Sequence, residues 1–362
     1  MDLYIREWNV GIQGIVDQYK SLIWTKRFRE PGEFELYMPM SMEMFNLLKP
    51  YRLITRKDDD TIMMIERVRI TTDEEDGDHL IVSGRSLEAA LDQNIFAWGT
   101  YEGAPISGSI FDIAKTVCWE RAYRSTLGSN LYFRKDLYSD GNVVITGTHN
   151  YSEATKGDNC LEAIKTICQT FGIGYKVTPW DTTYQYFDVV LYPGVDLSQG
   201  HYSFPVIFSP EYDNLNSSEY VLDVSTYADS AFVVGGEIMK SSNTKFSGHQ
   251  QINPSGTDWK RFIFVDASDA TTNTDTVTTE ANYNAALQAI GKAEIAKHPV
   301  IETFEADLDM NQTFVYRKHF WIGSIVTIKN EYGIRMDARI IEVNEVDDEN
   351  GYSMKPVLER VR

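Results

Sequence analysis

Six histidines are the first residues to consider for catalysis or metal binding, and they are scattered along the chain. They are His79, His149, His201, His249, His298 and His319. No two lie four residues apart on a predicted helix, and the sequence has no His-Glu-x-x-His pattern of a zinc hydrolase. It also lacks the Gly-x-Ser-x-Gly nucleophile elbow and the Gly-x4-Gly-Lys-Ser/Thr phosphate loop. We therefore predict no catalytic residue, no metal site and no cofactor.

The cysteines indicate packing rather than chemistry. Cys118, Cys160 and Cys168 are the three cysteines of the chain, an odd number without the paired spacing of a disulfide framework or a zinc site. Cys118 lies on the apolar face of a predicted helix, so core packing is favoured over a role as thiol nucleophile. Buried thiols of this kind are typical of a protein made in a reducing cytoplasm.

Acidic and aromatic clusters leave some alternatives open. Three acidic runs, 58–60, 73–78 and 347–349, lack the ligand spacing of a calcium loop, and we predict that they are solvated turns. Five aromatic residues lie in one segment, and they either form cross-strand pairs or bind sugars or a partner protein. These aromatic residues are Trp180, Tyr184, Tyr186, Tyr192 and Tyr202.

Composition describes a folded, acidic chain. With 362 residues and 43% hydrophobic residues, it is long enough for two or more domains. Its 34 basic and 53 acidic residues give a net charge of −19. Such a charge repels nucleic acid phosphates, so DNA is not expected to bind tightly. The N-terminus has no signal-peptide pattern and no run of about 18 apolar residues exists, so no membrane anchor is predicted.

Hydrophobic periodicity gives an order of elements. Residues 1–85 read as short strands with a brief helix after Ser41, followed by a helix capped by Ser86. Further helices are predicted after Ser109, over 159–171 and over 281–297, and strands return over 206–238 and from 300 to 358. We predict a mixed, mainly β (α+β) fold. Its parts are a first small antiparallel β-barrel (1–91), an α/β domain (92–205), a discontinuous second barrel (206–238 and 300–362) and a loop and helix insertion (239–299).

Four segments resemble bacteriophage tail hub proteins. Residues 28–39 match an R-x-x-G-x-F-x-L-x-x-P hairpin, 82–91 match V-x-G-x-x-L-x-x-x-L, and 208–236 match S-x-E-x-x-N-L leading to a strand that ends in V-x-G. The fourth segment is 322–358. The chain thus resembles the tail hub or baseplate hub family, the Gp37-like siphovirus tail proteins, which are related to the hub part of tail-associated lysins. The structural residues that carry the resemblance are Gly32, Phe34, Leu36, Gly84, Leu87, Leu91, Asn214, Leu215, Val234, Gly235, Gly236 and Gly323.

The resemblance implies a structural role without catalysis. In this family two barrels per subunit stand side by side, and a trimer presents six similar barrels around a channel. The implied function is a tail-tip or baseplate hub that joins a sixfold tube to a threefold tip. The implied partners are two further copies of the chain, a distal tail or tail tube protein, a tip spike or fibre protein and a tape-measure protein, with DNA passing without tight binding. The implied location is the virion tail, after synthesis in the bacterial cytoplasm and release by lysis.

Two other functions remain open from the sequence. A receptor- or carbohydrate-binding tail protein would use the aromatic residues of the α/β region. A cell-wall hydrolase would need a carboxylate pair, which the sequence does not locate.

Overall fold

The computed structural model describes residues 1–8, 11–73, 77–96, 106–125, 130–133, 148–151, 159–180, 186–239, 245–253, 260–268, 280–310 and 313–361. The chain divides into two compact units. Unit 1 comprises Met1–Ser218 and Glu305–Arg362, and unit 2 comprises Glu219–Phe304. Within the described residues, no helix is both long and apolar enough to cross a membrane.

Strands make up most of the regular structure. They are β1 Leu3–Glu7, β2 Gly11–Val16, β3 Ser21–Arg27, β4 Glu33–Pro39, β5 Leu53–Arg56, β6 Met63–Asp73, β7 Gly77–Ser86, β8 Ile95–Phe96, β9 Ile106–Gly108, β10 Ala122–Tyr123, β11 Leu131–Phe133, β12 His149–Tyr151, β13 Gly174–Pro179, β14 Phe187–Tyr192, β15 Ile207–Phe208, β16 Leu215–Asp223, β17 Ser230–Met239, β18 Lys245–Ile252, β19 Phe262–Ala267, β20 Ile301–Leu308, β21 Ile325–Lys329, β22 Arg335–Asp348 and β23 Gly351–Arg360.

The helices are short, and serine or asparagine side chains cap three of them. They are α1 Met42–Leu47, α2 Ile110–Lys115, α3 Cys160–Phe171 and α4 Glu280–Ile295, with 3-10 helices at Leu87–Gln93 and Pro210–Tyr212 and a π-helical turn at Thr116–Glu120. Ser41, Ser109 and Asn159 accept hydrogen bonds from backbone N–H groups of the first turns of α1, α2 and α3. Gly172 ends α3 in the left-handed region, at φ 66°.

Ser86 lies at the predicted N-cap position, but its side chain does not make the predicted capping hydrogen bond. Ser86 Oγ makes no capping bond to the 3-10 helix that follows. Instead it accepts a hydrogen bond of 2.7 Å from the backbone N–H of Gly32, on a different part of the chain. A tertiary contact has thus taken the place of the local one that the sequence pattern indicated.

The main sheet of unit 1 joins the two ends of the chain. In the described residues it contains 11 strands in the order β15-β21-β22-β3-β4-β7-β6-β5-β1-β2, with β23 on the other side of β22. The antiparallel pairing of β3 with β22 runs from Arg27 opposite Glu342 to Ser21 opposite Asp348. N-terminal and C-terminal strands therefore share one hydrogen-bonded ladder.

Two large hydrophobic clusters lie among the described residues of unit 1. One lies against strands β1–β7 and includes the fully buried Trp24, Leu36 and Val82. The other packs α2 and α3 against β11, β13 and β14, and all three cysteines lie in it. Burial of these side chains supplies the main favourable term for folding of the unit.

Unit 2 is a small layered structure. The described strands form a sheet in the order β18-β17-β19, antiparallel on one side and parallel on the other. Helix α4 packs on one face of this sheet, where Val233, Val265, Tyr283 and Leu287 form the core. Strand β17 continues through Gly235 and Gly236 with an irregularity in its register, so the prediction that these glycines close the strand is wrong.

The mainly β character of the fold is confirmed, and the sheets run along most of the described chain. No sheet closes on itself within the described residues. The two-barrel arrangement and the four-part division of the chain therefore stay predictions.

Candidate functional site

A buried network of ion pairs lies where the N-terminal and C-terminal strands of unit 1 meet. Arg56, at the end of β5, donates to Glu345 of β22 over 3.0 Å, and both side chains are almost fully buried. Lys26 of β3 pairs with the buried carboxylate of Asp59 over 2.9 Å. Arg317 bonds to both Asp59 and Glu345. Each buried charge therefore has an opposite charge in contact, which is the condition for burying it.

Three further side chains extend the network to the surface. Asp58 contacts the guanidinium groups of Arg56 at 2.6 Å and Arg317 at 3.0 Å. Asp60 pairs with Lys26 and, through its other oxygen, with Lys176 of β13 over 2.8 Å. The network thus links the main sheet to the region that carries α3.

Mutual attraction determines the protonation of the network. Burial alone would lower the pKa of Lys26, but the charge of Asp59 outweighs it and raises the pKa above its ordinary value. Burial alone would raise the pKa of Asp59, and the charges of Lys26 and Arg317 hold it below the usual range. These two pKa shifts both favour the charged forms of Lys26 and Asp59.

The prediction that residues 58–60 form a solvated turn holds for Asp58 and Asp60, whose side chains are more than half exposed, and is wrong for Asp59. The side chain of Asp59 is fully buried, because Lys26 and Arg317 approach it from distant parts of the chain. In the run 347–349, Asp347 accepts a hydrogen bond of 2.6 Å from the hydroxyl of Tyr19. Residues 74–76 of the third acidic run lie outside the described residues.

A cleft of about 400 Å³ opens beside this network. One wall is the turn 58–61 with the end of β3, and another is the start of the 3-10 helix with β13 and the end of β14. The third wall is the segment 316–324, including Trp321, whose side chain is half-exposed. The volume lies in the range of sites that bind small molecules.

Glu88 is the unusual residue of this cleft. It is only 7% exposed, and its Oε1 accepts a hydrogen bond of 2.8 Å from the backbone N–H of Val177. Its Oε2 is buried and has no hydrogen-bond partner within the described residues. Burial raises the pKa of this carboxyl, against the opposing effect of the hydrogen bonds from Ser86 and Val177. The Nε of Arg317 is likewise buried without a partner in the described part of the chain.

The glycines of the first two signature segments allow close backbone approach. A Cβ on Gly32 would lie 2.2 Å from the carbonyl oxygen of Thr25, and one on Gly84 would lie 1.9 Å from that of Met64. Both positions exclude any side chain. Phe34 and Leu36 alternate inward on β4, where the ring of Phe34 lies 6.2 Å from that of Trp24.

The ring of Phe28 leaves no room for a side chain at Gly323, another signature residue. This buried ring packs edge-on against Tyr192 at 5.2 Å. A Cβ on Gly323, which has φ of 85°, would lie 2.4 Å from this ring. Leu87 and Leu91 are fully buried on the 3-10 helix, in the cluster that contains α3.

In the third signature segment, 208–236, Asn214 holds a turn in place. Asn214 is fully buried, accepts from the N–H of Ser209 over 2.8 Å and donates to the carbonyl of Ile207 over 3.0 Å. Leu215 follows it as the first residue of β16.

In unit 2, Val234 precedes the two glycines on β17. A Cβ on Gly235 would lie 2.1 Å from the hydroxyl of Tyr283, which itself donates to the carbonyl of Gly236 over 2.8 Å. These contacts give most of the signature residues a structural reason, Leu215 and Val234 excepted, while their value as a family signature stays a prediction.

The residues considered for catalysis do not converge. No group of three or more His, Cys, Asp or Glu side chains able to hold a metal ion occurs among the described residues. The cysteines are buried and unpaired, and Cys118 Sγ donates to the carbonyl of Cys160 over 3.5 Å.

The aromatic residues of segment 180–202 lie in different environments. Trp180 and Tyr186 pack with Tyr132, at ring distances of 5.7 Å each, and Tyr132 lies 4.8 Å from Trp119. Tyr192 is partly buried, packs against Phe28 and lines the cleft, and Tyr202 is half-exposed. Tyr184 lies outside the described residues. Sequence spacing had no signal for Trp119 and Tyr132, which come from other elements.

Comparison with known proteins identifies the family to which the chain belongs. The family model described as Siphovirus ReqiPepy6 Gp37-like protein matches residues 2–358. A comparison with curated proteins gives no match.

Two solved tail proteins are similar to this chain in fold. A 43 kDa tail protein of prophage MuSo2 from Shewanella oneidensis has a TM-score of 0.53 at 14% identity, covering 99% of this chain and 98% of its own. A tail protein from Neisseria meningitidis MC58 has a TM-score of 0.55 at 13% identity, covering 99% of this chain and 96% of its own. The family match extends over nearly the whole sequence, so the chain belongs to the Siphovirus ReqiPepy6 Gp37-like family of phage tail proteins.

Proposed function

We propose that this tail protein is the hub of the tail tip or baseplate, a homotrimer that joins a sixfold tail tube to a threefold tip. The observation that carries the proposal is the family match over residues 2–358. It is supported by the likeness in fold, over 99% of the chain, to the tail proteins from Shewanella oneidensis and Neisseria meningitidis. The role is geometric, because a trimer with two similar β regions per subunit offers six related surfaces to a tube and three to a tip.

The proposed subunit keeps the two-barrel plan. Strands of 1–91 form the first barrel, and 206–238 with 300–362 form the second, interrupted by 239–299. The ladder between β3 and β22 would then be the seam where the two barrels meet.

Free strand edges favour assembly with other copies. In the described part of the chain, β2 pairs only with β1, and β23 pairs only with β22. Ile12 and Ile15 on β2 are 52% and 50% exposed. Unpaired edges with apolar side chains promote association, and a closed ring covers them. We assign the contacts between copies to these edges.

The hub is proposed to act without catalysis. The acidic and basic side chains of the buried network neutralise one another and tie strands together. Its neighbours are proposed to be a distal tail or tube protein, a tip spike or fibre protein and the tape-measure protein. The net charge of −19 suits the wall of a channel through which DNA slides without being held.

Copy number in the assembled tail tests the proposal. Quantitative mass spectrometry of purified particles, calibrated against the sixfold tube protein, should give three copies of this chain per tail. Two or six copies per tail would reject the trimeric hub.

A further inference from the structure

We propose that strand β19 of unit 2 pairs antiparallel with β19 of a second copy of the chain. In the described residues β19 lies at an edge of the sheet β18-β17-β19, where it pairs only with β17. An unpaired edge that carries exposed apolar side chains is prone to pairing with another strand. The hub proposal does not include this contact, because the contacts assigned to the ring lie on β2 and β23 of unit 1.

The backbone of β19 presents hydrogen-bonding groups to the open edge at alternate residues. The carbonyl of Arg261 accepts a hydrogen bond of 3.2 Å from the N–H of Ser230 on β17. Backbone groups of a strand point alternately to its two sides, so Phe262, Phe264 and Asp266 direct their N–H and C=O groups away from β17. Helix α4 packs mainly over β17 and β18, and in the described part of the chain it leaves the edge of β19 accessible.

Two exposed phenyl rings lie on one face of this edge strand. Phe262 is 49% exposed and Phe264 is 69% exposed. Side chains alternate along a strand, and Val265 belongs to the core under α4, so both rings lie on the face opposite the helix. Phe264 lies beside Phe232 of β17, whose ring stacks on His249 at 4.8 Å. The exposed rings therefore continue an aromatic row that begins inside the sheet.

Opposite charges flank the two rings. Lys260 lies two residues before the first ring, Asp266 lies two residues after the second, and both side chains are exposed. Asp266 accepts hydrogen bonds from Ser268 through Oδ1. Arg261 is already committed, because its guanidinium donates to the backbone carbonyls of residues 224 and 225. The strand thus has one basic end and one acidic end.

An antiparallel pair of β19 strands centred on Ile263 brings these groups together. In that register Phe262 of each copy lies opposite Phe264 of the other. Lys260 of each copy likewise lies opposite Asp266 of the other, on the same face as the rings. A shift of two residues in either direction separates these charges, so they select the register. The strand is complementary to itself, and we therefore assign the second copy as its partner.

The size of the contact predicts a reversible dimer. Rings with these exposed fractions offer about 250 Å² per copy, well below the roughly 800 Å² per partner of a standard stable interface. The contact is twofold symmetric, whereas neighbours within a threefold ring are not related by a twofold axis. The pairing therefore belongs to the free chain, where it covers an edge that would otherwise promote aggregation.

Mixing of two charge variants tests the pairing. Lys260→Glu places two acidic groups opposite each other at both ends of the paired strands, and Asp266→Lys places two basic groups there. Each variant alone should dimerise at least about 10-fold more weakly than the wild type. An equimolar mixture restores opposite charges at both ends and should regain the wild-type Kd, which we expect at about 10–100 µM. Sedimentation equilibrium of the purified full chain measures all four samples, in which the edges of β2 and β23 are unchanged.

A single introduced cysteine gives an independent measurement. Opposite residues that do not share hydrogen bonds have Cα atoms about 4.5 Å apart, which a disulfide can span. Ile263 occupies this position on the twofold axis, so Ile263→Cys should form a covalent dimer when oxidised glutathione is added. The three native cysteines are buried. Tyr332→Cys, at an 81% exposed position of unit 1, controls for random collision and should give no covalent dimer.

Three results would overturn the proposal. They are a Kd that neither charge variant changes, a mixture that dimerises no better than the separate variants, and equal crosslinking of Ile263→Cys and Tyr332→Cys. If Asp266→Lys does not fold, the cysteine variants still decide the point. The copy number in the tail is a separate measurement, so failure here leaves the hub proposal standing.

Discussion

At the scale of single residues, charges brought from distant positions decide the character of unit 1. Arg317 contacts Asp59 and Glu345, which are 258 and 28 residues away in sequence. No local pattern indicated these contacts, and the acidic run 58–60 looked like a solvated turn for that reason. The buried location of the cysteines, in contrast, was predictable, because their apolar neighbours repeat with the helical period.

Removal of Arg317 tests the network. Arg317→Ala leaves the buried carboxylates of Asp59 and Glu345 with fewer opposing charges, and we expect a loss of about 3 kcal/mol in unfolding free energy. The neighbouring and exposed Lys318→Ala is the control and should change stability by less than about 0.5 kcal/mol. Urea unfolding followed by tryptophan fluorescence measures both. Equal effects of the two variants would show that the network does not stabilise the fold.

Glu88 gives a prediction with a defined pH dependence. Its pKa in the folded protein is raised above 4.5, so ionisation favours the unfolded chain, and this residue lowers stability as the pH rises above that value. Glu88→Gln keeps an acceptor for the N–H of Val177 and removes the charge. Its melting temperature should exceed that of the wild type by roughly 2 °C or more at pH 7, with the difference vanishing below about pH 4. A difference that is constant with pH would contradict the assignment.

At the scale of elements, the sequence predicts those elements whose conformation is determined by residues close together in the chain. The helix predicted over 159–171 is confirmed as Cys160–Phe171, since hydrophobic period is a local signal, and Asn159 proves to be its N-cap. The pairing of β3 with β22 has no such signal, because more than 300 residues separate their partners and strand register carries no short-range signal. The cleft was missed for the same reason, because its three walls combine six stretches that are far apart in sequence, 26–32, 58–61, 86–88, 176–177, 192–195 and 316–324.

The glycines of β17 test how that strand positions α4. Gly235→Ala would place a Cβ 2.1 Å from the hydroxyl of Tyr283, so we expect a loss of about 2 kcal/mol through displacement of the helix. Gly248 lies opposite Gly235 on β18 and has open space where its Cβ would be. Gly248→Ala should therefore be near neutral. Thermal unfolding of both variants decides the point, and equal stability would mean that Tyr283 does not need this close approach.

At the scale of the whole molecule, family membership and charge carry the argument. The family match covers residues 2–358, whereas the motifs noticed in the sequence cover four short segments. The net charge of −19 belongs to the molecule and not to any one site. It bears on partners rather than on fold.

Weak interaction with DNA follows from that charge. Purified protein at micromolar concentration should not retard a double-stranded DNA fragment in a gel at about 150 mM salt, because phosphates are repelled. A basic DNA-binding protein serves as the positive control. Tight binding that weakens steeply with salt would exclude a channel wall that releases DNA.

Imaging of the assembled particle tests the trimeric hub most directly. Cryo-electron microscopy of tails that carry this chain, reconstructed without imposed symmetry, locates its copies and their arrangement. The account predicts one ring of three copies at the distal end of the tube, with β2 and β23 at the contacts between copies. Copies repeated along the tube, a ring of six, or single copies on side fibres would contradict it.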